Sequence, residues 1–280
     1  MSMENRIQPG HFLNVLAAVA TFSTRLFLRR RRTWLMAALM IVPVALPFMA
    51  AALDTSATRM GPRLLVALVE YLYLFTLAPL TALFFAGTLL SEEVEGHTFP
   101  LLLSRPAPRS AIVLGKFAAY FVVSFVLLAP AVVIFVAGGV IALHVSDPSA
   151  ALAVLPRYVA LVALALLTYG ALCLFVSTIA TRPVIVSAIF LFGWEKAVVA
   201  IPGYADFLTF EKYLRRLTPD VPFKRLELGK LELPVELLRT VYPVGAWTSL
   251  LVLFGVAAVL LALACVAVRK RQYAAHGDGT

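Results

Sequence analysis

Charge is what this sequence has least of. Only 14% of its 280 residues are charged, while 61% are hydrophobic. A soluble domain carries about a quarter charged and about half apolar residues. Histidine occurs four times and cysteine twice. A disulfide framework is therefore not expected, and Cys173 and Cys265, both inside apolar blocks, read as buried inert thiols. No Gly-x-x-x-x-Gly-Lys-Ser/Thr loop is present, because Gly115-Lys116 continues into Phe117 without the upstream glycine. The chain is thus not expected to hydrolyse ATP itself. A His-Glu-x-x-His zinc motif is also missing, so no catalytic or metal-ligating residue is expected. The first thirty residues lack the basic region, short apolar core and cleavage site of a signal peptide, which leaves the first span to direct insertion.

What is present is a series of long uncharged blocks. Each approaches or exceeds the roughly 20 helical residues that cross about 30 Å of hydrocarbon. Lipid cannot satisfy backbone groups, so spans must be helices or a closed barrel. The blocks do not alternate with period two, which excludes a barrel. The expected fold is an all-α polytopic membrane protein forming one transmembrane domain over 1–280.

The spans are expected at 33–53, 64–90, 111–143, 157–180, 184–201 and 244–268. The third is interrupted by Pro130 and Gly138-Gly139. The fifth has few clean residues before Trp194-Glu195-Lys196 and does not read as a simple crossing. Residues 11–32 form an interfacial helix, with Asn14, Thr21, Arg25, Arg29 and Arg32 on one face and Phe12, Leu16, Val19 and Leu26 largely on the other. Arg29 to Arg32 abut the first span and favour a cytoplasmic N-terminus over a nucleic-acid patch. Other basic residues on the inner flanks are Lys116, Arg182 and Arg269 to Arg271, so both termini are expected in the cytoplasm. The outer segment 202–243 also holds seven basic residues, which weakens that bias. Within it Phe207, Phe210, Leu214 and Leu217 share a helical face that would rest on the membrane surface or on neighbouring spans. Leu226 to Leu233 alternate around Gly229-Lys230 as in a hairpin.

Two places carry functional information. Ionisable residues inside spans mark pathways by default, which singles out Glu70, Glu195 and Lys196, all towards the outer leaflet. The other reading of Glu195-Lys196 is an interfacial marker beside Trp194. The second place is the cytoplasmic segment 91–110. There Glu92, Glu93 and Glu95 precede Gly96, with Thr98 placed to cap a short helix ending before Pro106. Arg105 lies near the negative end of that helix. Phe99, Leu102 and Leu103 form an apolar face that needs a cover, either lipid or a partner's groove.

The stretch from Glu92 to Lys116 resembles the signature of type-2 ABC-transporter permeases. In that family an acid cluster closes the second span. A Gly-Thr pair, a Leu-Leu-Leu run and a Ser/Thr-x-Pro turn follow, then an Arg and a Gly-Lys. Here these are Glu92, Glu93, Glu95, Thr98, Leu101 to Leu103, Ser104-Arg105-Pro106, Arg109 and Gly115-Lys116. His97 stands where the family has glycine, and Gly96 precedes it. The resemblance implies a coupling helix seated in a separate ATPase subunit, which would hold the ATP and Mg. It also implies a second permease subunit, in a homodimer or heterodimer, and a plasma membrane, here bacterial by composition. Export is the implied direction. An anchoring or regulatory subunit without transport is the alternative. An intramembrane protease is more remote, since His97 and His144 lie on opposite sides of the third span.

Overall fold

The computed structural model describes residues 9–53, 61–89, 108–142, 148–199, 207–219 and 244–270. All the regular elements there are helical. They are α1 (Pro9–Arg29), α2 (Arg31–Ile41), α3 (Ala45–Leu53), α4 (Gly61–Leu68), α5 (Ala78–Phe85), α6 (Arg109–Ala142), α7 (Pro148–Ala153), α8 (Leu155–Ile179), α9 (Pro183–Ala188), α10 (Glu195–Val199), α11 (Phe210–Leu217) and α12 (Ala246–Lys270). A 3-10 turn at Val42–Val44 joins α2 to α3. Stretches of π-helix at Val69–Leu77 and Ile189–Trp194 join α4 to α5 and α9 to α10.

Six helical runs are long and apolar enough to cross a membrane: Phe12–Arg29, Arg31–Met49, Leu65–Phe85, Ser110–Ala142, Leu155–Ile179 and Ala246–Val268. The protein is therefore a polytopic all-α membrane protein, as its composition requires. The set differs from expectation at two places. By length and composition α1 qualifies, and the fifth block, interrupted by π-helix and described only to residue 199, does not. The chain turns between α1 and α2 at Arg30, whose backbone is extended (φ −81°, ψ 134°). The Phe27 carbonyl at this corner accepts from the Thr33 hydroxyl (2.6 Å) and the Arg30 N–H (3.1 Å).

Helix α8 is the hub. Of its apolar stretch 67% is buried, against 22% for α12, and it packs on α5, α6 and α12. Lipid tails are as apolar as leucine, so burial alone does not hold such helices together; close approach and hydrogen bonds do. Gly170 provides the approach. A Cβ there would stand 2.2 Å from Cε1 of Tyr120, whose hydroxyl donates to the Leu166 carbonyl at 3.0 Å. A similar clasp joins the first two spans. In the 3-10 register the donor for the Met40 carbonyl would be residue 43, a proline without an N–H. The Tyr73 hydroxyl takes its place at 3.1 Å. Buried Thr81, Thr168 and Ser177 return their hydroxyls to carbonyls on their own helices.

Helix α6 corrects one expectation. Pro130 and the glycine pair do not interrupt it; it runs unbroken for 34 residues, a rod of about 50 Å. Proline removes one internal bond, and neighbouring helices hold the rest in line. Gly138 and Gly139 serve contact instead, against the Phe48 ring and the Leu65 side chain. The tight turn expected at Thr181-Arg182-Pro183 is present, with Pro183 opening α9.

Replacing Gly170 by alanine should lower stability by about 1–3 kcal/mol through overpacking. Gly255→Ala, where a Cβ meets nothing within 4 Å, should leave it unchanged or slightly raised. Thermal unfolding of the two variants in detergent checks the contrast.

Candidate functional site

The buried charges gather where α10 and α11 meet the second span and α8. Glu195 closes the π-helical stretch Ile189–Trp194 and opens α10. One of its carboxylate oxygens accepts from the Tyr169 hydroxyl on α8 and the other from the backbone N–H of Phe210, both at 3.1 Å. The second contact satisfies one of the donors left open at the start of α11. The Phe210 ring packs edge-on against Tyr169, with centroids 5.7 Å apart.

The next residue along α11 is Glu211, 2% exposed in its side chain. Its Oε2 accepts from Lys196 Nζ at 2.7 Å. Its Oε1 accepts from Arg215 Nε at 2.9 Å and from Nη2 of the same guanidinium. Both cations lie over the ring of Phe75, Lys196 Nζ at 5.7 Å and the Arg215 guanidinium carbon at 4.8 Å from its centroid. Arg215 also lies 5.8 Å from the Tyr71 ring. The layer is thus two acids, two bases and four aromatic rings, and cation–π attraction strengthens when water is excluded.

Its level in the bundle follows from its partners. Phe75 lies midway along Leu65–Phe85, and Tyr169 just past the middle of Leu155–Ile179. Glu195 and Lys196 are therefore near mid-height, deeper than the outer-leaflet position expected from the sequence. The reason is α11. Rather than lying on the membrane surface, it packs against α8 and α12 with Phe210, Leu214 and Leu217 buried. Of the apolar face expected in this segment, α11 buries Phe210, Leu214 and Leu217, while Phe207 precedes the helix and is partly buried. Near the N-terminal end of α8, Arg157 Nε donates to the carbonyl of Leu217 (3.0 Å). Glu70 belongs to a separate contact at that end of α8, where its Oε1 accepts from the Tyr158 hydroxyl at 3.1 Å. Glu70 and Glu195 each sit on a π-helical stretch or at its end, a feature frequent at functional sites.

Sequence reasoning singled out Glu70, Glu195 and Lys196, and the structure brings the latter two into one layer. It missed Glu211, Arg215, Tyr158 and Tyr169. The signal for Glu211 and Arg215 was there, an acid and a base four residues apart beside the apolar stripe of 207–217. Pro79, just after the π-helical stretch, was a local signal of irregularity, since its missing N–H leaves a carbonyl one turn earlier without its helical donor.

Of the coupling residues, Glu92, Glu93, Glu95, Thr98, Phe99, Leu102, Leu103 and Arg105 lie outside the described residues, as does the hairpin expected around Gly229. Arg109 is the first residue of α6. The Gly-Lys pair that follows can be placed. A Cβ on Gly115 would come within 2.8 Å of the Leu16 carbonyl and 3.0 Å of Val19 Cβ, so α1 crosses α6 where only glycine fits. Lys116 beside it is buried. Phe27 of α1 meets Phe85 at the end of α5, centroids 5.7 Å apart. Helix α1 therefore rests on the ends of both helices that flank the segment 91–107.

A helical bundle of this kind, with paired charges near mid-height and an N-terminal helix braced across the ends of two spans, is a transporter-like membrane domain. The chain belongs to the family described as ABC-2 family transporter proteins, whose model matches residues 17–272. No curated protein matches the chain.

Replacing Glu211 by glutamine leaves Lys196 and Arg215 facing each other without a carboxylate. The expected loss is about 3 kcal/mol, since breaking a buried pair strands a charge. Lys196→Gln, at a half-exposed position, should cost under about 1 kcal/mol. Denaturation of the purified variants distinguishes the two.

Proposed function

We propose that the chain is the permease subunit of an ABC exporter, driven by a separate ATPase through the cytoplasmic segment 91–110. The observation that carries this is the family match over almost the whole chain, joined to a coupling-type sequence between two helices of the bundle. In this reading Phe99, Leu102 and Leu103 seat in a cleft of the ATPase. Glu92, Glu93 and Glu95 pair with basic groups there or on α1, and Thr98, Arg105 and Arg109 fix the ends of the segment. ATP and Mg belong to the partner. Helix α1 acts as an interfacial brace: its seat at Gly115 and Phe85 would couple movement of the loop to α5 and α6 together. The extended backbone at Arg30 supports this, because it lets α1 leave the axis of the first span.

The translocation pathway is assigned to the polar layer of Lys196, Glu195 and, above it, Glu70. Charged side chains at membrane depth face a bundle interior or a watery cavity far more readily than lipid. Lys196 is near mid-height with its side chain 40% exposed in the single chain. A second permease subunit facing this surface, identical or related, would enclose a pathway between the two. Both termini and the 91–110 segment then lie on the cytoplasmic side of a plasma membrane.

The test is co-purification of a candidate ATPase with the tagged chain, and the nucleotide hydrolysis it carries. Phe99→Asp or Leu102→Asp should abolish the association or uncouple hydrolysis while the chain remains folded. Retention of fully coupled ATPase by both variants would contradict the role given to the segment.

A further inference from the structure

The polar layer is lopsided in what it presents. Its two carboxylates are sealed. Glu195 is 2% exposed and Glu211 1%, and both oxygens of each are engaged, by Tyr169 and the Phe210 N–H in one case and by Lys196 and Arg215 in the other. What faces outward is cationic and aromatic. The Lys196 side chain is 40% exposed and that of Arg215 25%, and Tyr71 beside Arg215 is 56% exposed. Lys196 also shares its carboxylate, because Arg215 draws on the same Glu211. An ammonium has three donors, and Glu211 takes one of them from Lys196. Along the same block Ile189 and Trp194 are exposed and apolar.

A molecule approaching this surface meets positive charge over an aromatic floor with an apolar strip alongside. A cationic head group would be repelled, and a neutral one would leave the shared ammonium short of charge at a level where that is expensive. We propose that Lys196 and Arg215, over Phe75 and Tyr71, form a binding site for the anionic head of an amphipathic molecule whose apolar chain lies along Ile189 and Trp194. The inference rests on the pathway assignment above and adds to it the class of substrate: an anionic amphiphile. The head would accept charge-assisted hydrogen bonds from Lys196 while Glu211 holds both cations in place.

Trp194 reports on the site directly. With Trp34 and Trp247 replaced by phenylalanine it is the sole tryptophan. In the purified chain, 9,10-dibromostearate should quench its fluorescence saturably. Lys196→Gln should raise the half-saturating concentration about tenfold, the size of one charge-assisted contact, and Lys196→Arg should restore it. The methyl ester of the same acid should bind the Lys196 protein no better than the acid binds Lys196→Gln. Glu211 keeps Arg215 in the glutamine variant, so the layer has reason to stay folded. A second measurement avoids substitution at the site: decanoate should displace the brominated acid and decyltrimethylammonium should not. Equal quenching by acid and ester, an unchanged Lys196→Gln, or displacement by the cationic amphiphile as readily as by decanoate would each overturn the proposal. Binding is read without nucleotide. Its failure would leave ATPase coupling through 91–110 intact, and failure of that coupling would leave the binding result standing.

Discussion

A charge in the middle of a membrane protein has to be met by the protein itself, and in this chain Glu211 meets it. Water would solvate Lys196 and Arg215 at little cost, whereas hydrocarbon would not. One carboxylate between them, with Phe75 beneath, is what allows α11 to enter the bundle. Glu195 completes the arrangement by accepting the N–H of Phe210 at the start of that helix. The packing around it follows. The apolar side of α11 closes on α8 and α12, and its last carbonyl-bearing turn is tied to Arg157. Glu70 lies within one stretch of π-helix and Glu195 at the end of the other, where the wider turn departs from the regular α-helical stagger of side chains.

Elsewhere the bundle uses other means. There the contacts are glycines under aromatic or backbone atoms: Gly170 under Tyr120 and Gly115 under Leu16. Hydroxyl clasps fill carbonyls that local distortions leave open, Tyr73 at Met40 and Thr33 at Phe27. Small residues and single hydrogen bonds are what membrane helices have available once hydrophobic burial no longer discriminates. On the proposed function this suits a transporter, with a close contact at Gly115 where force enters and a polar layer where cargo passes.

Most of the architecture was legible because long apolar helices announce themselves by composition. The bundle, the tight turn at Pro183, the buried face of Phe210, Leu214 and Leu217, and the irregular fifth block all follow from local pattern. What was not legible depends on partners distant in sequence. Tyr169 reads as one more aromatic in a span until Glu195, 26 residues later, is brought against it. Lys196 beside Trp194 reads as an interfacial anchor until α11 folds back over it. The expected break in α6 failed for the opposite reason: Pro130 and Gly138-Gly139 are local signals that neighbouring helices override. Nor does periodicity separate a surface helix from a span at α1, whose length and apolarity allow either.

The central claim is that the exposed side of Lys196 belongs to a watery pathway and not to lipid. Gly193 lies one turn before it, exposed, with room for a side chain. Gly193→Cys, in a chain whose Cys173 and Cys265 are replaced by alanine, can be treated in intact membranes with a charged, membrane-impermeant thiol reagent, with the ATPase partner present. The expected result is rapid modification by the charged reagent, slowed when a long-chain carboxylate is added. Modification only by an apolar, membrane-soluble maleimide would mean that this face lies against lipid, and the pathway would have to be sought elsewhere in the bundle.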